Sequence, residues 1–294
     1  MSNQFSNFAP KFGMMKKNIL FILLAIVLVS SCGSKAKVAM STDYDQRYEA
    51  AKQAYVEGHY SRCSNLLADM IVVMKGTDKA QESLYMMAMA QYNLGDYETA
   101  ATYFKQFYTS YPKGDFSELA RYNSGKALYN STPDPRLDQS ATAEAISELQ
   151  TFLDFCPGSQ YSDRAQNMIF ELQDKLVEKE YYSAKLYYDL GSYFGNCTEG
   201  GSNYEACVVT CQNTLKDYPY TKLREELYYL NFKAKYELAE QSVNEKQEER
   251  YRDAIDDYFG FKNEFPDSKY TKELDKLYAS ALKHVSTEEV EEDF

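Results

Sequence analysis

The fold is decided by the segment GDYETAATYFKQFYTSYP, residues 95–112. Within it, Ala100, Phe104 and Phe107 follow one another at steps of four and three residues, which places them on one face of a helix. The glycine at the start permits a tight turn, and Pro112 cannot continue the helix that it ends. The segment therefore predicts one helix, bounded on both sides, that presents a small residue and two large ones to a partner helix.

This pattern of small, large and large residues before a proline recurs along the chain. It is the pattern of the second helix of a tetratricopeptide repeat (TPR). Because a helix pair cannot bury its apolar face alone, such repeats stack on one another. We therefore expect an all-α fold, a superhelical stack of about five TPR helix pairs with a C-terminal capping helix. The other copies are Ala145, Leu149, Phe152 and Pro157; Cys207, Cys211, Thr214 and Pro219; Ala254, Tyr258, Phe261 and Pro266; and a first copy without the proline, Gly58, Tyr60, Cys63, Leu67 and Met70.

The copies also set the boundaries of the repeats. The spacing between the terminal prolines exceeds the usual TPR period of about 34 residues, so we expect insertions. Three segments suit them, because 131–136 contains two prolines, 195–203 is rich in glycine and 242–249 is densely charged. The TPR domain is expected over residues 43–285, with repeats at about 43–75, 80–113, 116–158, 161–220 and 221–267 and a cap at 268–285.

The N-terminus has the features of a bacterial lipoprotein signal. Lys16 and Lys17 precede an apolar run over residues 19–29, which is followed by two serines and Cys32. A helix needs about 20 apolar residues to cross a bilayer, so this shorter run indicates a cleavable signal rather than a membrane span. We therefore expect lipid, including palmitate, on Cys32.

Lipidation of Cys32 would fix the location of the chain. We expect residues 1–31 to form the signal peptide, with Met14 or Met15 as alternative starts, and residues 32–42 to tether the lipid to the repeats. Several acyl chains on one cysteine hold a protein firmly at a membrane. No aspartate follows Cys32 directly, which resembles lipoproteins sorted to the outer membrane. We expect the domain there, facing the periplasm.

Composition argues against several classes of function. The net charge is −12 and the sequence has no basic patch, which disfavours nucleic-acid binding because phosphate neutralisation dominates that affinity. No catalytic triad order, phosphate-binding loop or metal-binding motif occurs, so we expect no enzyme activity, cofactor or metal. Five of the 44 acidic residues lie close together in residues 286–294, which we expect to form a disordered tail.

Five cysteines remain besides Cys32, at positions 63, 156, 197, 207 and 211. An odd number cannot all pair internally, and the sequence leaves their disulfide state open. Cys207 and Cys211 would share one helix face and could form half of a metal site. Since they fall on packing positions of the repeat pattern, a place in the core is the favoured interpretation.

Tyrosines recur in the first helices of repeats one to three. The chain has 28 tyrosines, and three pairs, each seven residues apart, keep a constant step of 37 residues. Three small residues, Ala51, Ala88 and Gly125, keep the same step of 37 residues. Small residues are required at these positions if the partner helix approaches closely there. The tyrosines then point toward the concave groove and are candidates for binding extended peptides. Packing between repeats is the alternative. The six are Tyr48, Tyr55, Tyr85, Tyr92, Tyr122 and Tyr129.

A lipoprotein signal ahead of five TPRs resembles the BamD family of the outer-membrane β-barrel assembly machinery. The resemblance covers residues 44–284, and its most specific segments are 158–161, 179–193 and 215–219. It implies a scaffold that helps the machinery recognise and insert outer-membrane β-barrel proteins. The implied partners are the barrel-forming insertase, bound through the C-terminal repeats, and the C-terminal segments of substrate barrels, bound through the N-terminal ones. The insertion at 195–203 lies near the docking surface of family members, so the docking residues stay unassigned.

Two other classes of protein share these repeats. A periplasmic TPR scaffold that coordinates cell-envelope or cell-wall synthesis carries a coiled-coil segment ahead of its repeats, whereas repeat one begins here about a dozen residues after Cys32. A sugar-binding surface lipoprotein with embedded repeats is usually longer and rich in tryptophan, which this sequence lacks. Capture of the insertase from solubilised envelope would separate these classes from the BamD-like one.

Overall fold

The computed structural model describes residues 43–77, 79–193 and 202–286. All regular structure within those ranges is helical, and one short 3-10 helix, Leu282–His284, accompanies the α-helices. Several predictions lie outside the described residues, namely the signal peptide, lipidation of Cys32, the tether, most of the insertion at 195–203 and the acidic tail. The α-helices are α1 (Tyr44–Val56), α2 (Tyr60–Leu67), α3 (Met70–Val73), α4 (Lys79–Leu94), α5 (Tyr97–Ser110), α6 (Ser117–Ser131), α7 (Ser140–Phe155), α8 (Ser162–Leu190), α9 (Asn203–Asp217), α10 (Arg224–Glu240), α11 (Asn244–Glu264) and α12 (Thr271–Ala281).

The expected all-α fold of packed helix pairs is confirmed. Within each unit of the fold, paired helices lie against one another, as α4 does with α5, α7 with α8 and α10 with α11. The small residues of the repeat pattern, Ala100, Ala145 and Ala254, are fully buried. The large residues of the pattern are buried with them, so the pattern marks the core. Phe104, Phe107, Phe152 and Phe261 are at most 1% exposed.

The chain divides into two compact units between Ser124 and Gly125, inside α6. Unit 1 contains α1 to α5 and the first part of α6, and unit 2 contains the rest of α6 and α7 to α12. Each unit has a buried core of its own. In unit 2 that core includes Cys207 and Cys211, which pack with Val177, in agreement with the packing interpretation of these cysteines.

Local turn chemistry starts the second helices of unit 1. Gly58 and Gly95, just before α2 and α5, have φ of +76° and +81°. Glycine adopts this left-handed conformation without the steric cost that other residues incur. Asp96 then caps α5, since its carboxylate accepts a hydrogen bond from the backbone N–H of Thr99 at 3.2 Å. The turn and the cap together fix where the second helix begins.

The proline-containing insertion separates α6 from α7, as expected. α6 ends at Ser131 and α7 begins at Ser140. The side-chain amide of Gln139 closes this connection by donating to the carbonyl oxygens of Asp134 at 2.8 Å and Leu137 at 3.1 Å. These bonds satisfy carbonyl groups that the prolines leave outside any helix.

The insertion expected at 242–249 takes the form of extra helical turns at the start of α11. α10 ends at Glu240 and α11 begins at Asn244, so most of the segment is helical. Its Glu, Lys and Gln residues are strong helix formers, and the dense charge marks exposed helical turns rather than a loop. α11 is 21 residues long as a result, which lengthens the last repeat.

Repeat four is lengthened by its first helix, because α8 runs for 29 residues. It ends at Leu190 and is followed by Gly191, whose φ is +49° and where a Cβ would lie 2.7 Å from the hydroxyl of Tyr204. The side-chain amide of Asn203, the first residue of α9, donates to the Gly191 carbonyl at 2.9 Å. The end of α8 is thereby fastened to the start of α9. Neither α8 nor any other helix in the described ranges is both long and apolar enough to span a membrane.

Candidate functional site

Tyr55 and Tyr85 line a cavity of 480 Å³ in unit 1. Both side chains are half-buried, so each presents part of its ring to the open side of the cavity. Tyr55 comes from α1 and Tyr85 from α4, which pack together in this unit. The walls are otherwise apolar, with one ion pair at the edge. The remaining lining residues are Lys52, Val56, Glu82, Met86, Met89 and Phe116.

Tyr85 is held in place by aromatic contacts. Its ring meets those of Phe104 and Phe107 edge to face, with centroids 5.7 and 5.5 Å apart. It stacks on Phe116 at 5.0 Å. Its hydroxyl accepts a hydrogen bond from the side-chain amide of Asn123 at 3.0 Å. Tyr85 is therefore at once a wall of the cavity and part of the packing behind it.

Tyr48 lies behind the cavity rather than in it. Its side chain is only 3% exposed, and its hydroxyl donates a hydrogen bond to the carboxylate of Glu82. Burial, followed by this hydrogen bond, raises the pKa of Tyr48 above its usual value. Because Glu82 lines the cavity, Tyr48 acts through Glu82, as a residue that positions it.

Lys52 and Glu82 form an ion pair at the edge of the cavity, with Nζ and Oε1 2.9 Å apart. The hydrogen bond from Tyr48 lowers the pKa of Glu82, and the hydrogen bond to Glu82 raises the pKa of Lys52. Both side chains are close to half exposed. A lysine ammonium has three donors, so Lys52 can bind a second carboxylate while it keeps Glu82.

Tyr92 is half-buried in α4 and meets Tyr97 edge to face at 5.3 Å. Tyr55 makes the same contact with Tyr60 at 5.6 Å. In both repeats the last tyrosine of the first helix thus packs on the first residue of the second helix, across the glycine turn. Tyr92 is not among the residues that line the cavity.

The last tyrosine pair lies on α6, with one member in each unit. Tyr122, in unit 1, is 6% exposed. Tyr129, in unit 2, is half-buried and its hydroxyl donates to the carboxylate of Glu171. This hydrogen bond, together with burial, raises the pKa of Tyr129 to about 12. Of the six predicted residues, only Tyr55 and Tyr85 share the cavity.

The residues that complete the cavity were not predicted as site residues, although some could have been. Lys52 follows Tyr48 by four residues, Met89 follows Tyr85 by four, and Glu82 precedes Tyr85 by three. These are the spacings of one helix face. Phe116 lies just before α6, and no local signal connects it with α4.

Cys207 and Cys211 do not form a second site in the part of the chain that the structure describes. Cys207 and Cys211 are fully buried, and the pKa of Cys211 is raised by a hydrogen bond with Cys207 and by burial, which makes a thiol unreactive. Among the residues that the structure describes, no group of three or more His, Cys, Asp or Glu side chains could hold a metal ion.

Two curated proteins are similar to this chain. One, from Aquifex aeolicus (strain VF5), is assigned as the outer membrane protein assembly factor BamD and is 24% identical over 172 residues, 58% of this chain and 56% of that protein. The other, the outer membrane protein assembly factor BamD of Xylella fastidiosa (strain 9a5c), is 25% identical over 186 residues, 58% of this chain and 63% of that protein. The chain spans less than two thirds of the length of either relative.

A family model described as YfiO, outer membrane lipoprotein, matches residues 40–197. This range contains every residue of the cavity and exceeds half of the chain. The resemblance to the BamD family that the repeats and the leader indicate is thereby confirmed. The chain belongs to the YfiO family of outer membrane lipoproteins.

Proposed function

We propose that this protein is a scaffold of the β-barrel assembly machinery, anchored to the outer membrane through lipid on Cys32 and facing the periplasm. It helps that machinery recognise and insert outer-membrane β-barrel proteins and has no enzyme activity of its own. Its partners are the barrel-forming insertase and the substrate barrels. The support is membership of an outer membrane lipoprotein family and similarity to two BamD assembly factors.

The cavity lined by Tyr55 and Tyr85 binds the C-terminal residue of a substrate barrel in this account. The cavity walls consist mainly of aromatic and methionine side chains. These walls suit an aromatic side chain of the substrate, because aromatic rings and methionine thioethers make polarisable apolar contacts with it. A volume of 480 Å³ is at the lower end of small-molecule sites, about 300–1,000 Å³. Such a cavity holds one large side chain, so the rest of the segment lies outside it.

Lys52 supplies the charge that a C-terminal segment needs. A chain terminus carries a carboxylate next to its last side chain, and Lys52 lies at the edge of the cavity, where that carboxylate would be. Glu82 disfavours a second carboxylate near it but also holds Lys52 in position at 2.9 Å. Tyr48 fixes Glu82 from behind. The arrangement favours an aromatic residue that is also a terminus.

The other predicted tyrosines have separate roles in this proposal. Tyr92 and Tyr129, which are half-buried, are further contacts for substrates or partners. Tyr48 and Tyr122, which are buried, support the site without touching the peptide. The observation that carries the proposal is the shared cavity of Tyr55 and Tyr85, with a lysine at its edge.

Affinity purification from detergent-solubilised envelope tests the proposed partnership. The tagged chain should bring down the barrel-forming insertase, and it should float with outer-membrane lipid. A Cys32→Ala variant should stay an unprocessed precursor outside the outer-membrane fraction. Capture of cell-wall synthesis enzymes without the insertase would contradict the proposal, and normal processing of the variant would contradict the lipid anchor.

A further inference from the structure

One end of unit 1 presents apolar side chains to solvent. Val72 and Val73, in the one-turn helix α3, are 78% and 53% exposed. Tyr44, the first residue of α1, is 37% exposed. Single exposed apolar residues are common on protein surfaces, but two adjacent ones on a short turn form an apolar projection.

Contacts between helices place α3 beside the start of α1. Arg47, in the first turn of α1, donates from its guanidinium to the carbonyl oxygen of Leu66 at 3.1 Å, and it lies 3.5 Å from the carboxylate of Asp69. Asp69 directly precedes α3. Lys79, at the start of α4, pairs with Asp45 at 2.8 Å. Tyr44 and the two valines are therefore at the same end of the unit.

The valines are held outward by the way α3 is anchored. Met70 and Met74, on either side of them, are 0% and 5% exposed and belong to the core of unit 1. The backbone N–H of Met74 donates to the Met70 carbonyl at 2.8 Å, and the hydroxyl of Thr77 donates to the Met74 carbonyl at 2.8 Å. With the methionines fixed inside, Val72 and Val73 have no inward position available.

This end is also where the chain leaves toward the membrane. α1 begins at Tyr44, and residues 33–42 separate the described structure from Cys32. Ten extended residues reach at most about 35 Å, so a lipid on Cys32 keeps this end of unit 1 near the bilayer. We propose that Tyr44, Val72 and Val73 form a membrane-contact surface, which rests on the lipid anchor of the proposed function. The valines enter the boundary between headgroups and acyl chains of the periplasmic leaflet.

The charges at this end suit a lipid surface. The carboxylates of Asp69 and Asp45 are each paired with a basic side chain, so neither repels lipid phosphate as a lone charge would. Lys75, exposed just after the valines, can extend its ammonium to a lipid phosphate, as lysines at membrane boundaries do. The ring and hydroxyl of Tyr44 match the headgroup level, where tyrosine is enriched.

The apolar area of two valines is too small to hold a protein on a membrane. On a chain that lipid already anchors, however, their insertion is an intramolecular event and needs little free energy of its own. The consequence is orientation, because the start of α1 then faces the bilayer and the opposite end of α1, at Val56, faces away from it.

The absence of tryptophan from the sequence makes a direct test possible. Val72→Trp introduces a single tryptophan at the projection. Val56→Trp is the matched control, because Val56 is 85% exposed and lies at the other end of α1 in the same unit. Both full-length chains are purified from a lipidating host and reconstituted on vesicles of phosphatidylethanolamine with some phosphatidylglycerol, and flotation measures attachment.

We expect the emission of Val72→Trp to shift to shorter wavelength on vesicles and to lose roughly half its intensity with brominated acyl chains, since interfacial apolar groups enter that boundary. Val56→Trp should keep the emission it has in buffer. If both chains float and Val72→Trp behaves like Val56→Trp, the membrane-contact surface is contradicted. A blue shift that appears only when the insertase is added would contradict it equally, because the surface would then bind protein.

A second arm separates this surface from the lipid anchor. If the native chain does not float, residues 33–294 with an N-terminal hexahistidine tag are held on vesicles that contain nickel-chelating lipid. Quenching of Val72→Trp there supports the surface even though the lipidation of Cys32 has failed. Absence of quenching on these vesicles contradicts it, and circular dichroism checks that both variants stay helical.

Discussion

Close packing of the helices depends on the size of single side chains. Ala51 and Ala88 are fully buried. At Gly125, the next position in that series, a Cβ would lie 2.6 Å from Cδ2 and 2.9 Å from Cγ of Leu149. The step of 37 residues thus predicted where neighbouring helices come closest, since only small residues allow that approach.

Alanine at two helical glycines should have opposite effects on stability. Glycine in a helix costs up to about 1 kcal/mol relative to alanine, and at Gly260, in α11, a Cβ would meet nothing within 4 Å. We expect Gly260→Ala to raise the free energy of unfolding by about 0.5–1 kcal/mol. Gly125→Ala should lower it, because overpacking against Leu149 costs about 1–3 kcal/mol. Urea denaturation measures the free energy of unfolding of each variant. If this free energy rises in Gly125→Ala as well as in Gly260→Ala, Leu149 moves aside freely.

Ionisation of Tyr129 should couple stability to alkaline pH. Its pKa is raised to about 12 by the hydrogen bond to Glu171 and by burial, against about 10 for an unfolded tyrosine. The bond therefore stabilises the fold fully below about pH 10 and is lost as the pH rises through 12. Tyr129→Phe should be less stable than wild type at pH 8, and the difference should vanish by about pH 12.

The control for this titration is Tyr220→Phe, which changes a side chain that is 92% exposed. It should leave stability unchanged at every pH, because it removes no buried hydrogen bond. A destabilisation of Tyr129→Phe that persists undiminished above pH 12 would contradict the assignment of the bond to Glu171.

The helices could be predicted from sequence where their boundaries are local. The glycine turn before α5 and the proline after it occur within one short segment, and so does the proline-containing connection after α6. The start of α11 and the length of α8 could not be predicted in this way, since uninterrupted helix formers contain no signal that ends a helix. What decides those lengths is packing against neighbouring helices, which a single segment does not encode.

The capping helix α12 should contribute strongly to the stability of unit 2. Leu274 is fully buried with Phe232 and Phe261. We expect Leu274→Ala to lower the free energy of unfolding by about 2–5 kcal/mol, the usual cost of such a cavity. Leu186→Ala is the control, because Leu186 is 58% exposed on α8, and it should change stability by about 0.5 kcal/mol or less. Equal effects in urea denaturation would mean that α12 does not cover this core.

For the molecule as a whole, the sequence could predict part of the candidate site. The tyrosine register led to Tyr55 and Tyr85, but helical spacing alone does not distinguish a residue that lines a cavity from one that packs beneath it, as Tyr48 does. Phe116 reaches the cavity from another helix pair. Its place depends on how helices distant in sequence meet, which only the folded chain shows.

The packing of Tyr85 also decides how the site should be tested. Because its ring contacts Phe104, Phe107 and Phe116, Tyr85→Ala would disturb the core together with any bound peptide. Met89 and Lys52 are better choices, since both line the cavity and neither is fully buried. Met89→Ala reports on apolar contact and Lys52→Gln on the recognition of a carboxylate.

Binding of a peptide with an aromatic C-terminus tests whether the cavity of Tyr55 and Tyr85 recognises the C-terminal residue of a substrate barrel. The chain should bind the free-acid form at least about tenfold more tightly than the C-terminal amide, a difference of about 1.4 kcal/mol. Lys52→Gln should abolish this preference, and Met89→Ala should weaken both forms. The control is Lys185→Gln, which removes a lysine from an exposed ion pair with Asp189 in unit 2 and should retain the preference. Isothermal titration calorimetry gives these affinities. Absence of binding at millimolar peptide, or an unchanged preference in Lys52→Gln, would contradict the account.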